Sequence, residues 1–205
     1  MKDRAYPFAL PLGTEISGYV VDRVIGAGGF GITYQATNPV TGVTVAIKEF
    51  FPQGLASRDG CTVILHSDVS SGSYEMALKK FEQEAAKLTG RYRHPNIVSG
   101  VNFLRLNNTA YFVMEYIEGI SLDHWLLERV SPPSELELRA LFERVFDAVD
   151  YIHSMNGMHR DLTPRNVMIR SDGEPILVDF GASGEGLDTE RHDSQAFAQP
   201  NYAPP

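Results

Sequence analysis

Met158-His159-Arg160-Asp161-Leu162-Thr163-Pro164-Arg165-Asn166 is the stretch from which the rest of this chain can be read. Pro164 has no N–H and holds Thr163 in extended geometry, so the stretch cannot continue a helix that ends near His153. Asp161 and Asn166 are therefore placed on a fixed turn. Downstream, Pro175-Ile176-Leu177-Val178 is a short apolar run rich in branched residues, which predicts a strand delivering Asp179 to the glycine turn Asp179-Phe180-Gly181. Three oxygen-bearing side chains, Asp161, Asn166 and Asp179, converge in this reading. Hard donors of this kind suit Mg²⁺ with a phosphorylated substrate, because the ion takes few protein ligands and completes its shell with water and phosphate oxygens.

These residues resemble the catalytic loop and magnesium turn of the protein kinase family. Three upstream signatures that the resemblance calls for are present. Gly26-Ala27-Gly28-Gly29-Phe30-Gly31 follows a predicted strand over Tyr19 to Ile25, and is itself followed by the alternating, β-branched Ile32-Thr33-Tyr34-Gln35-Ala36-Thr37. A dinucleotide-binding turn would open a helix at that point, whereas this pattern joins two strands of a hairpin. Without Cβ atoms, backbone amides of such a loop can approach nucleotide phosphates, with Phe30 capping the tip. Val43 to Phe50 predicts the next strand, with Ala46 and Lys48 on one face. The resemblance makes Ala46 an adenine-facing residue and Lys48 the ammonium that reaches the α- and β-phosphates. Tyr74 to Tyr92 is helical by period, with Ala77, Phe81, Ala85 and Leu88 on one stripe. Glu84 flanks that stripe, upstream of His94-Pro95-Asn96-Ile97-Val98, where the family's ion-pair partner for Lys48 stands.

The same resemblance assigns further roles. Asp161 accepts the substrate hydroxyl proton, Asn166 and Asp179 hold Mg²⁺, and Arg165 joins the catalytic set. Met114 is the gatekeeper, Glu115-Tyr116-Ile117 the hinge against the adenine edge, and Met168 completes the nucleotide site. His159 reads as a packing residue beside Phe180. The glycine-rich segment and Lys48-Glu49-Phe50-Phe51-Pro52 look most like bacterial members of the eukaryotic-type serine/threonine kinases.

The expected fold is α+β and two-lobed: an antiparallel β N-lobe with helix C, then a partial, mainly helical C-lobe. Residues 1–18 form an irregular lead-in, 19–114 the N-lobe with an insertion at 51–73, 115–118 the hinge, and 119–205 the partial C-lobe ending in the activation segment. Within the insertion, Cys61 to Leu65 predicts a short extra strand. Val101 to Leu106 and Tyr111 to Tyr116 predict two strands joined at Asn107-Asn108. Ser121 reads as the N-cap of a short helix through Trp125 and Leu127. Glu135 to His153 predicts a long helix with Leu138, Leu141, Phe142, Val145, Val149 and Ile152 as its buried stripe.

Bulk properties narrow the functional classes. With 205 residues and 43% hydrophobic content the chain can bury a real core. A formal charge of -8 argues against a nucleic-acid surface, whose footprint is basic. Cys61 is the only cysteine, which excludes an intrachain disulfide and points to a reducing, cytoplasmic setting. No run approaches the length of a membrane span.

Two departures from the family pattern matter. Thr163 stands where serine/threonine kinases generally carry lysine, and Arg165 is the cation that can substitute. Asn201-Tyr202-Ala203-Pro204-Pro205 resembles the start of the family's A-P-E region, and Ser183, Thr189 and Ser194 are conceivable phosphosites facing Arg160. The chain thus matches the first two-thirds or so of a kinase domain, and a C-lobe ending there is expected to expose apolar surface. The implied activity is transfer of the ATP γ-phosphoryl to protein Ser/Thr hydroxyls, with ATP, Mg²⁺, a protein acceptor and an autophosphorylation partner. The alternative is a catalytically silent nucleotide-binding or scaffold module.

Overall fold

Residues 6–179 are described by a computed structural model, and its first half is built from strands. The lead-in contains a two-residue strand, β1 (Glu15–Ile16). It turns back through Ser17 and Gly18, both at positive φ, to pair with β2 (Tyr19–Gly28). The expectation of a wholly irregular lead-in is thereby corrected: Leu10 and Ile16 are buried, and Gly13 N donates to Val21 O at 2.9 Å. β2 and β3 (Gly31–Thr37) form the glycine hairpin, and β3 pairs with β4 (Thr44–Phe50).

The insertion holds a hairpin rather than a single strand: β5 (Ala56–Asp59) and β6 (Thr62–Leu65), with Cys61 in the turn. The chain then enters α1 (Ser71–Ala86), which passes into a π-turn over Lys87–Arg91 instead of running to Tyr92 as one helix. Its predicted stripe of Ala77, Phe81, Ala85 and Leu88 is buried. Next come β7 (Gly100–Leu106) and β8 (Thr109–Glu115). Among the described residues the large sheet has the antiparallel order β1-β2-β3-β4-β8-β7.

Both faces of this sheet are covered. One face packs on α1 through Ala46, Phe50, Phe112 and Met114 against Tyr74, Phe81 and Ala85. The other is covered by the lead-in and the β5–β6 hairpin, with Leu10, Phe51 and Val63 against Ile32, Tyr34, Ile47 and Tyr111. β4 therefore carries apolar side chains at successive positions, unlike a half-exposed strand.

The second half begins with β9 (Gly119–Ser121) and α2 (Leu122–Glu128). α3 (Glu135–Ser154) starts in a capping box, in which Ser134 Oγ accepts from Glu137 N and the Glu137 carboxylate accepts from Ser134 N. Leu141, Val145, Ala148 and Ile152 are its buried residues, and Leu138 and Val149 are half-buried. Phe142 corrects the predicted stripe: it is exposed and stacks on Phe146, ring centroids 5.9 Å apart, on the outer side of the helix. Four residues give more than one helical turn, so the buried line drifts to Ala148 and leaves Phe142 behind.

The chain then forms a 3₁₀ turn over Pro164–Asn166, β10 (Val167–Arg170) and β11 (Pro175–Leu177), a small sheet in the order β11-β10-β9. Asn96 ties the two halves together: its side chain donates to Pro175 O at 2.8 Å, and its carbonyl accepts from Leu177 N at 2.8 Å.

Candidate active site

Lys48 and Asp179 meet across the two halves, Nζ to Oδ1 at 2.6 Å. Each is positioned by its own sheet. In β4, Lys48 pairs with Phe112 of β8 and Thr33 of β3, which sets its ammonium on the α1 side beside Ala46. Asp179 follows β11, whose Leu177 donates from N to the Asn96 carbonyl at 2.8 Å and accepts at its own carbonyl from Val98 N at 3.0 Å, and it sits at φ 55°. A non-glycine residue in this left-handed region is uncommon and is held by its surroundings; here the ion pair contributes.

A cavity next to this pair is lined by Lys48, Glu84, Met114 and Asp179, with Phe81, Ala85, Leu88 and Phe112 as its apolar wall. Glu84 thus lies in the same site as Lys48. Burial disfavours the Lys48 charge, but Asp179, Glu84 and Asp161 more than offset it, so its pKa lies above the ordinary lysine value and the ammonium stays charged.

Asp161 and Asn166 are joined directly. Asn166 Nδ2 donates to the Asp161 carbonyl at 2.9 Å and to its carboxylate Oδ2 at 2.8 Å. The Asn166 carbonyl accepts from Val178 N at 2.9 Å, so the loop and the strand leading to Asp179 are one hydrogen-bonded unit. This arrangement uses the Asn166 amide nitrogen and leaves its Oδ1 as the remaining side-chain donor atom for a cation. An amide oxygen and a carboxylate, here from Asn166 and Asp179, are hard oxygen donors of the kind Mg²⁺ takes. Arg160, at φ 65°, turns the chain immediately before Asp161.

His159 is buried, and burial holds its pKa below the ordinary imidazole value. The packing role expected of it agrees with this burial; Phe180, its expected neighbour, lies outside the described residues, as do Ser183, Thr189, Ser194 and the Asn201–Pro205 run. Thr163 is also buried, and among the described residues its Oγ1 meets no hydrogen-bond partner. Arg165 is largely exposed and approaches Asp123 of α2, Nε to Oδ2 at 3.6 Å.

The glycine loop is a tight hairpin in which Gly26, Ala27 and Gly28 of β2 oppose Thr33, Ile32 and Gly31 of β3, with Gly29 and Phe30 at the tip. A Cβ on Gly31 would lie 2.8 Å from the Glu49 carbonyl oxygen, so the close approach of β4 requires glycine there. Met114 pairs with Ala46 across β4 and β8, and Ile117 is buried just beyond. Met168 lies in β10 opposite Ser121 and Ile176, packed against the same core. Three features escaped sequence reasoning: the Arg170 guanidinium on the Glu115 carboxylate, the bracing by Asn96, and a buried knot around Glu49. An arginine on β10 carries no periodic signal, and only the fold brings it to Glu115 at the end of β8.

A family model described as "Protein kinase domain" matches residues 19–205. This chain belongs to the protein kinase family. Among curated proteins, the serine/threonine-protein kinase D of Synechocystis is 31% identical over 173 residues, covering 82% of this chain and 31% of that protein. The serine/threonine-protein kinase PknD of Chlamydia muridarum is 32% identical over 177 residues, covering 80% of this chain and 17% of that protein. Among solved structures, the apo form of PpkA-294 superposes with a TM-score of 0.81 at 30% identity, over 88% of this chain and 64% of that one. The kinase domain of PknI from Mycobacterium tuberculosis, at 24% identity and a TM-score of 0.66, shows the same fold. The chain therefore spans about a third or less of the length of the curated kinases it matches. The two-lobed α+β expectation and the likeness to bacterial serine/threonine kinases agree with these matches. Among the described residues no helix is long and apolar enough to cross a membrane.

Proposed function

We propose that this kinase-family chain binds Mg·ATP between its two halves and supports transfer of the γ-phosphoryl group to a Ser or Thr hydroxyl of a protein. The observation that carries the reading is the Lys48–Asp179 pair adjoining the Asp161–Asn166 hydrogen bonds. Phosphoryl transfer asks little covalent work of the protein; alignment and well-placed charge do most of it.

Lys48 orients the α- and β-phosphates, with Glu84 helping to keep its ammonium charged. The Gly26–Gly31 hairpin covers the phosphates with backbone N–H groups, and Ala46, Met114, Glu115, Ile117 and Met168 frame the base. Mg²⁺, held by Asn166 and Asp179, would neutralise charge developing on the phosphate oxygens. Asp161 takes the proton of the acceptor hydroxyl, and its carboxylate is oriented for this by Asn166 Nδ2. Arg165 supplies the exposed cation next to the catalytic loop that Thr163, being buried and neutral, does not. A second copy of the chain is one acceptor, through autophosphorylation, and the lone cysteine favours the cytoplasm.

The burial of Thr163 favours a second reading, in which nucleotide is bound without transfer. The two are separated by incubating the chain with γ-labelled Mg·ATP and a generic protein acceptor, beside Asp161→Asn and Lys48→Met. Label that disappears in both variants establishes the kinase. Nucleotide binding without label in the parent chain establishes the silent module.

A further inference from the structure

The insertion after Lys48 reaches the tip of the glycine loop. Phe51 N donates to Phe30 O at 3.0 Å and Gln53 N to Gly29 O at 2.8 Å. The β3–β4 ladder, which ends with Gly31 opposite Phe50, is thus carried on along the loop itself. Gln53 also bridges to Ala56, the first residue of β5, so the strand that grips the loop is continuous with the hairpin.

What holds the hairpin is a buried ion pair on the opposite side of β4 from the nucleotide site. Glu49 follows Lys48, so its side chain points the other way. It is fully buried and accepts from Tyr34 Oη at 2.7 Å, Tyr111 Oη at 3.1 Å and Arg58 Nη2 at 2.7 Å. Arg58, from β5, uses its remaining nitrogens on Phe8 O at 2.6 Å and Cys61 O at 3.0 Å, and its guanidinium lies 4.9 Å from the Phe51 ring centroid. One side chain therefore joins the lead-in, the hairpin turn, β4 and the residue bonded to Phe30.

A buried pair of this kind adds little net stability over apolar packing, but its donors and acceptors fit one geometry only. The geometry points to a positioning role: we propose that residues 51–65 form a clamp, with Arg58 as its pivot, that fixes the tip of the glycine loop and so presets the chain for nucleotide phosphates. Preset binding elements raise affinity by lowering the ordering cost of the bound state. The affinity part of this inference rests on the nucleotide reading of the site; the clamp itself does not.

The test compares the parent chain with Arg58→Lys, which keeps the charge but loses the fork, and with the double variant Glu49→Gln/Arg58→Met, which leaves no buried charge unpaired. Amide hydrogen exchange is followed at Phe51 and Gln53, with α3 as the internal reference, and binding of a non-hydrolysable ATP analogue with Mg²⁺ is titrated. Both variants are expected to lose protection at Phe51 and Gln53 by about tenfold or more while α3 stays protected. Nucleotide Kd should weaken by about tenfold, equivalent to ~1.4 kcal/mol. Protection that persists at Phe51 and Gln53, or that collapses in α3 as well, overturns the clamp. Lost protection with an unchanged Kd overturns its role in binding. If the parent chain binds no nucleotide, the function proposed above fails, while the exchange pattern still decides whether Arg58 holds the loop.

Discussion

The ammonium of Lys48 and the carboxylate of Asp179 are 131 positions apart in the chain and 2.6 Å apart in space. Lys48 lies in β4 and Asp179 just beyond the end of β11, and each is partly shielded from solvent, so the pair joins the halves of the molecule at the point where phosphates are proposed to bind. With Glu84 and Asp161 nearby, the local field is set for a cation.

Removing the cation should therefore separate binding from chemistry. Lys48→Met is expected to weaken binding of the Mg·ATP analogue, whereas Asp161→Asn should leave that binding intact and lower the transfer rate by roughly 10²- to 10⁴-fold. Equilibrium titration beside a single-turnover transfer assay reads both. Equal loss of binding in the two variants would contradict the division of roles.

Gly31 and Gly29 should behave oppositely although they are two residues apart. A methyl group at Gly31 meets the Glu49 carbonyl, which belongs to a buried ladder and cannot withdraw, while nothing lies within 4 Å of the equivalent position at Gly29. Gly31→Ala is expected to cost about 1–3 kcal/mol in urea unfolding, and Gly29→Ala no more than about 0.5 kcal/mol.

The start of α3 carries a pH signature. Backbone and side-chain hydrogen bonds from Ser134, then Arg129, hold the Glu137 carboxyl at about 2, below the ordinary 4.5. The unfolded chain takes up this proton first, so the stabilisation is fully present above 4.5 and is lost as pH falls toward 2. The difference in urea midpoint between the parent chain and Glu137→Gln should shrink over that interval. Ser134→Ala should cost about 1 kcal/mol at neutral pH.

Buried His159 adds a second dependence nearer neutrality. Because burial lowers its pKa from 6.5, the unfolded state binds the proton more readily as pH drops through that value. Stability should fall with pH below 6.5 until the folded imidazole is itself protonated. Replacing it with a similarly shaped apolar ring, His159→Phe, should flatten this part of the profile. A slope unchanged in the variant would assign the acid sensitivity to other groups.

Much of the fold was legible because its determinants are local. Period-two runs located the strands from Tyr19 to Phe50, Pro164 marked the loop around Asn166 as separate from the helix ending at Ser154, and the spacing of Ala77, Phe81 and Ala85 oriented α1. Lys48, Glu84, Met114 and Asp179 were named from motifs and now line one cavity.

What the sequence alone determined was the main strands, the two long helices and the chemistry they carry, since turn residues and periodicity act over a few neighbouring positions. Only the tertiary structure decided which side of α3 is covered, that the lead-in and insertion seal the outer sheet face, and that Glu49 is neutralised by Arg58. Those outcomes depend on contacts between segments distant in the chain. Phe142 and Val145 are both apolar residues on one helix, and nothing local tells which will meet the core. Glu49 beside Lys48 reads as an ordinary charged strand residue until Tyr34, Tyr111 and Arg58 arrive around it, because a carboxylate can be buried only where its lost hydration is replaced by donors from the rest of the fold.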